Sequence, residues 1–232
     1  MPKYAKPSEA QAKKEKRSMT PWIIGAGVLF LVLIALAVFI NNPTRSIASI
    51  EAPDVPADWI DRSTMGDPNA PVTIQAWEDF ICPACQQWTA QVEPRVIEEL
   101  VKTGKARLEF RQFPLQMHAP GAAMSAMASE CAADQGGFWP YHDRLFVEAS
   151  SRGQAAATLE RLVEYAKDQG LDDGEFLTCM NSQRYWDQVN ASASEAVSTG
   201  LTSTPSIVVG GQLMADPFNF NAIVQAVEAN TP

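Results

Sequence analysis

The sequence predicts an α/β domain carried behind one membrane-spanning helix, and three observations predict it. Trp22 to Ile40 is an uncharged run of nineteen residues. Between residues 72 and 113 an alternating β-branched segment, a helical repeat and a second alternating segment follow one another, as in a strand–helix–strand unit. About 83 further residues of helical pattern, His118 to Gly200, then precede a hairpin and a closing helix, too many for a loop and therefore a helical insertion.

As a helix rising about 1.5 Å per residue, residues 22–40 cover roughly 28 Å, enough to cross hydrocarbon. Pro21 suits a first turn, Trp22 suits the interface, and Asn41-Asn42-Pro43 ends the run. Residues 1–21 form a basic tail, in which Lys3, Lys6, Lys13, Lys14, Lys16 and Arg17 face only Glu9 and Glu15. Only Arg45 follows closely, so the positive-inside rule keeps the tail in the cytoplasm and puts everything after about residue 41 outside. A cleaved secretory signal ending near Ser46-Ile47-Ala48 is the alternative, although leader and apolar run are both long for one. Either reading exports the domain.

The whole chain carries −9 and the tail +4, so the remainder carries −13. Such a domain repels phosphate backbones, which excludes nucleic-acid binding as its main activity. With 46% apolar and 19% charged residues, the chain has material for a packed core and is not a disordered one. Residues 41–62, with Pro43, Pro53 and Pro56, read as a linker in which Trp59-Ile60 docks on the domain. The domain divides into a first core part at 63–117, the insertion at 118–200 and a second core part at 201–232.

Val72-Thr-Ile-Gln-Ala-Trp77 reads as the first strand and runs into Cys82-Pro-Ala-Cys85. The helix that follows repeats Trp88, Val92, Val96 and Leu100 at i+4, with Pro94 set to kink it and Gly104 to end it. Arg107 to Phe113 is the second strand, parallel to the first through a right-handed crossover. In the insertion, Ala122–Ala133, Tyr141–Ala149, Leu159–Ala166 closed by Gly170, and Tyr185–Thr199 are the expected helices. Ser206–Val209, Gly210-Gly211 and Gln212–Ala215 make the hairpin, and Phe220, Ile223, Val224 and Val227 mark the last helix.

Cys82, between a strand and a helix, has unpaired backbone amides and the positive end of the helix dipole beside it, so the spacing predicts an acidic, exposed thiol. Cys85 lies one turn deeper on the same face, close enough for a disulfide, and Pro83 fixes an early helical position at little cost. One thiol attacks and the other resolves. Half a zinc site is an alternative, but Cys131 and Cys179 are 46 and 94 residues beyond Cys85, and only His118 and His142 are left to complete it. A purely structural disulfide is another, although so short a ring constrains little chain entropy. Glu78 and Asp79, just before the turn, are candidates to exchange a proton with Cys85, or else are solvated strand-end charges. Thr204-Pro205 precedes the hairpin strand, where an X–Pro bond is a candidate for the cis isomer or an ordinary trans turn. His118 and His142 read as structural residues, Phe138 and Trp139 as core plugs, and Met117, Met124 and Met127 as either a groove rim or packing.

Gly66-Asp-Pro-Asn-Ala-Pro-Val-Thr-Ile74, Glu78-Asp-Phe-Ile-Cys-Pro-Ala-Cys85, Phe113-Pro-Leu with His118, Glu130-Cys-Ala-Ala-Asp-Gln-Gly with Phe138-Trp and Tyr141-His-Asp, and Thr204-Pro-Ser-Ile-Val-Val-Gly-Gly211 together resemble the DsbA-like branch of the thioredoxin superfamily. The chain is most similar to its membrane-anchored members, over about residues 63–230. The resemblance implies a thioredoxin fold with a helical insertion, Cys82 as nucleophile, Cys85 as resolving thiol, and a cis Pro205 beside them. It also implies that the Thr204 backbone pairs with the substrate strand. The best-known oxidant of the family has His where this chain has Ala84, so a higher Cys82 pKa and a milder oxidant are expected here.

For an exported chain, Cys131 and Cys179 read as a structural disulfide, with two buried thiols or an electron relay as alternatives. The expected function is a membrane-tethered thiol–disulfide oxidoreductase that introduces disulfides into cysteine-containing exported proteins and is reoxidised by a quinone-linked membrane partner. No metal and no organic cofactor are implied. The runner-up reverses electron flow, as a reductase or isomerase; a third reading is a non-catalytic chaperone or metal-binding module.

Overall fold

The computed structural model describes residues 54–231. The basic tail and the expected anchor at 22–40 lie outside them, and no described helix is long and apolar enough to cross a membrane.

The described chain is built on one six-stranded sheet in the order β1-β2-β4-β3-β5-β6. Strands β3 (Val72–Glu78) and β4 (Ala106–Gln112) form its parallel centre, with Ile74 opposite Leu108 and Glu78 opposite Gln112. Strand β5 (Ser206–Val209) lies antiparallel to β3 and turns into β6 (Gln212–Leu213). At that turn Gly210 and Gly211 have φ of +56° and +87°, the pair of positive values that a tight hairpin loop requires. The other edge is a small hairpin, β1 (Ile60–Asp61) and β2 (Thr64–Met65), antiparallel to β4. Strand β1 therefore falls inside the 41–62 stretch read as linker: Ile60 and Asp61 find ladder partners, which a two-residue strand is too short to announce in sequence.

Between β3 and β4 the chain forms α1 (Pro83–Gln91), a break at Val92, α2 (Glu93–Val96) and a π-type turn, Ile97–Val101. The break is the expected kink: Pro94 donates no amide, and Arg95 and Val96 both bond back to the Val92 carbonyl. The insertion holds α3 (Gly121–Ala133), α4 (Phe138–Arg152), α5 (Leu159–Asp168), α6 (Asp173–Asn181) and α7 (Trp186–Ser198). Helix α6 was not among the expected ones. The chain ends in α8 (Phe220–Ala229), whose first turn is capped by Asn219.

One face of the sheet, carrying Ile74, Ala76, Leu108, Phe110, Ile207 and Val209, joins a single core with Trp88 and Val92 of the α1 segment, Ile223 and Val227 of α8, and Phe138 and Phe146 of α4. On the other face Trp77 and Phe113 pack with Ala196 of α7 and Leu201. Covering both faces buries the end of β3, where Ala76, Trp77 and Glu78 are successively buried instead of alternating. The core thus carries a carboxyl, Glu78, to the back of the redox turn. The insertion is tied to the sheet edge by Arg62, which pairs with Glu130 and Asp134 at 2.9 Å each, and it is cross-linked internally by the Cys131–Cys179 disulfide between α3 and α6.

Candidate active site

Cys82 is the N-cap of α1, with extended backbone, and Pro83 occupies the first helical turn. Cys82 Sγ lies 3.5 Å from the Thr204 carbonyl, to which it donates when protonated, and the Thr204–Pro205 peptide bond is cis. Cys85 is fully buried, and its sulfur accepts from the Asp79 amide at 3.4 Å. Both cysteines are free thiols.

The two sulfurs are made unequal by their neighbours. Hydrogen bonding from the Cys85 thiol, with smaller contributions from the Thr204 side chain and the Cys85 and Ala84 amides, outweighs burial and lowers Cys82 to about 5 from an ordinary 9.0. Burial and the donation to Cys82 push Cys85 well up, and any charge that Glu78 comes to carry adds to this. At neutral pH the pair therefore holds one anion at Cys82 and one proton on Cys85.

Exposure differs from the sequence expectation. Cys82 keeps only 7% of its surface, not an open thiol, because the Thr204-Pro205 loop closes over it from a segment 122 residues away. Pro83 is exposed and Ala84 half-buried, so the rim of the turn is apolar and open.

Glu78 and Asp79 are neighbours in sequence with opposite surroundings. Asp79 is fully engaged: one oxygen accepts from the Ile81 amide, and the other accepts from the Leu115 amide and meets His118 Nδ1 at 2.8 Å. These three contacts hold it in the loop, and the contact joining Asp79 to Cys85 is made by its backbone amide, not its carboxylate. Glu78 is buried with neither oxygen in a hydrogen bond of good geometry, although the Cys85 thiol and Thr89 hydroxyl are near enough to act on it. Burial raises its pKa well above the carboxylate range, so it sits behind the pair as a neutral acid. Of the two candidate proton carriers, the structure leaves the role open only to Glu78.

Sequence reasoning missed Glu93. It is buried at the kink of the α1–α2 segment, where burial raises it to about 8. Its signal was a charged residue next to Pro94 in an apolar i+4 row, which does not distinguish a buried acid from a solvated one. His142 is fully buried within a ring of Phe80, Phe110, Phe138, Trp139 and Phe146. Glu78, Glu93 and His142 each offer an atom within 4.8 Å of the others. Phe138 and Trp139 are core residues; Met127 is packed, Met124 half-buried, and Met117 is 77% exposed.

A family profile described as Thioredoxin matches residues 60–229. The chain belongs to the thioredoxin family. This thioredoxin-family chain is 27% identical over 169 residues to the "Probable disulfide bond formation protein D" of Bacillus anthracis, which covers 72% of this chain and 77% of that one. It is 30% identical over 210 residues to the "Na(+)/H(+) antiporter NhaA 3" of Salinispora tropica, covering 88% of this chain but only 31% of that relative's length. Oxidised BdbD from Bacillus subtilis superposes with a TM-score of 0.67 at 21% identity, over 73% of this chain and 92% of that one. Chlamydia trachomatis DsbA superposes at 0.62 with 25% identity, over 78% and 95%. Within the thioredoxin family the chain is thus DsbA-like, a thiol–disulfide oxidoreductase whose redox turn is followed by a helical insertion.

Proposed function

We propose that the protein is a membrane-tethered oxidant of exported proteins, held by residues 22–40 with its domain outside the cytoplasm, that donates its Cys82–Cys85 disulfide to cysteine pairs of newly exported chains. The observation that carries the direction is the low pKa of Cys82. A sulfur stable as an anion stabilises the dithiol form, and a pair whose dithiol form is stabilised gives its disulfide away readily.

A substrate thiolate attacks Cys82 Sγ, the Cys82–Cys85 bond breaks, and Cys85 takes the electron pair and a proton. The second substrate thiolate then attacks the substrate sulfur of the mixed disulfide, expelling Cys82 as its stable thiolate. The substrate loses two electrons and the enzyme gains them. A quinone-linked membrane oxidase is the recycling partner this cycle calls for, and the chemistry needs no metal or organic cofactor. Thr204 offers its carbonyl beside Cys82, where an extended substrate backbone would lie.

The test uses the full-length protein and a reduced two-cysteine substrate. Cys82→Ala is expected to abolish oxidation, and Cys85→Ala, mixed instead with the disulfide form of the substrate, to accumulate the mixed disulfide that its Cys82 thiolate makes by attacking that bond, on a denaturing gel run without reductant; normal turnover by either variant defeats the mechanism. Alkylation trapping in growing cells tests direction. A largely oxidised Cys82–Cys85 pair supports the oxidant. A largely reduced one supports the reductase or isomerase reading, which the absence of a His at position 84 favours.

A further inference from the structure

Each turnover changes the protonation of Cys85, which is buried, and among the described residues Glu78, also buried, is the carboxyl beside it with both oxygens unpaired. While a polypeptide is bonded to Cys82, the front of the turn is covered. Glu78 therefore needs a connection to solvent that does not pass through the substrate face.

We propose that Glu93 and His142 are that connection, so that a proton passes between Cys85 Sγ, Glu78, Glu93 and His142 and leaves or enters through Asp143 at the surface. Glu93 Oε2 lies 3.8 Å from His142 Nε2, and His142 Nδ1 meets Asp143 Oδ1 at 2.8 Å. The Asp143 side chain is 39% exposed, whereas that of His142 is wholly buried. An imidazole that accepts at one nitrogen and releases at the other is suited to this task. His142 Nε2 has no hydrogen-bond partner, and neither does either oxygen of Glu78, so the chain of groups has free valences where a moving proton needs them. The 3.8 Å gap exceeds a hydrogen bond and is closed by rotation of the Glu93 carboxyl or by a bridging water.

The electrostatics fit the same path. The groups facing Glu78 are Cys82, Cys85, Thr89, Glu93 and His142; those facing Glu93 are Glu78, Thr89, His142 and Asp143; those facing His142 are Glu78, Glu93 and Asp143. The rest of the His142 surroundings is aromatic rings, which exclude bulk water and competing bases. Burial lifts Glu78 and Glu93 towards neutrality. Burial also opposes a charge on His142, but Glu93 and Asp143 override it and raise the imidazole. Both acids and the imidazole between them and the surface are thus raised together.

The inference rests on the disulfide exchange proposed above. When substrate attack releases Cys85, Glu78 gives it a proton and becomes a carboxylate; a proton taken up at Asp143 and handed through His142 and Glu93 restores the acid. Resolution of a mixed disulfide by Cys85 runs the same steps backwards. Glu93 and His142 act through Glu78 and are positioning residues, not catalytic ones.

The test is the pH profile of the Cys85-dependent step, followed by rapid mixing of the full-length protein with a reduced peptide, in Glu93→Gln, in Asp143→Asn, whose exposed site spares the fold, and in Glu93→Asp. Glu93→Gln is expected to slow the step about a hundredfold at pH 7, as loss of one proton-transfer group does at the low end of its range, and to remove the inflection near pH 8. The Cys82 thiolate pKa, read by alkylation, is expected to stay put. Asp143→Asn is expected to slow the step less and to shift its profile, and Glu93→Asp to restore part of the rate. An unchanged profile in folded Glu93→Gln overturns the inference, as does a stoichiometric metal ion on the purified protein. Failure of the unmodified protein to exchange at all defeats the proposed function instead.

Discussion

The molecule holds two cysteine pairs, and their surroundings assign them different work. Cys131 and Cys179 join two helices of the insertion, both nearly without surface, in the same apolar core that packs the domain. Cys82 and Cys85 sit three residues apart at a helix start, with a carbonyl on one sulfur and an amide and a buried acid on the other. In the first pair nothing distinguishes one sulfur from its partner; in the second, one is driven to the anion and the other to the thiol. Redox reactivity in this chain comes from that asymmetry and not from cysteine content. The asymmetry also depends on remote residues, since Thr204 arrives from the far end of the domain.

The pH dependence of stability is the broadest way to break the comparison. In the dithiol protein Cys82 is about 5 when folded and 9.0 when unfolded. A depressed acid stabilises the folded state fully above the unfolded value and loses that contribution as pH falls through the folded one. Dithiol protein is therefore expected to gain stability relative to the disulfide form from pH 5 up to pH 9, because in the disulfide form neither sulfur titrates. Glu78 carries the opposite sign, and Glu78→Gln measured in both forms separates its contribution from that of Cys82. Thermal unfolding of the two forms across that range measures it. Parallel curves would mean that Cys82 is an ordinary thiol.

Removing the other pair gives an effect of a different kind. Cys131 and Cys179 are 48 residues apart, and closing a loop of that length stabilises by roughly 4 kcal/mol. The double variant Cys131→Ala/Cys179→Ala is expected to lose about 8–16 °C in Tm. Its exchange rate, measured below the transition, is expected to stay within about twofold of the parent, as for a change remote from the reacting atoms. A fall in rate with little loss in Tm would make this pair an electron relay instead.

What the sequence discloses follows the range of the interactions. The strand–helix–strand unit is legible because Val72, Ile74 and Ala76 alternate and Trp88, Val92 and Val96 keep one helical row, all local patterns. Helix α6 is short, and its buried residues Phe176, Cys179 and Met180 cover barely one turn, so its periodicity is faint. Its cap, Asp172 accepting from the Glu175 amide, was the readable signal. At the site, Cys82 and Cys85 announce themselves by spacing. The burial of Cys82 does not, because Thr204 is 122 residues distant. Nor does the approach of Glu93 to His142, since each sits in a different helix and each looks ordinary in its own segment. Asp79 and Glu78 are equivalent on paper; only the strand end, covered on both faces, separates the bonded carboxylate from the unbonded one.

The smallest effect sharpens the asymmetry within the active pair. Ala84 lies between the cysteines, half-buried, and contributes only its backbone amide to the Cys82 anion. A histidine there would add a donor, and when protonated a positive charge, beside that sulfur. Ala84→His is expected to lower the Cys82 pKa below about 5 and, because the dithiol form is stabilised by the same interaction, to make the disulfide more oxidising. Each pKa unit is about 1.4 kcal/mol, and for this two-electron couple that amounts to about 30 mV. Equilibration with a glutathione buffer reads the potential, and alkylation against pH reads the thiolate. The two are expected to move together in that proportion. A pKa that drops while the potential stands still would show that Cys85 and its buried acid, and not Cys82, govern the redox equilibrium.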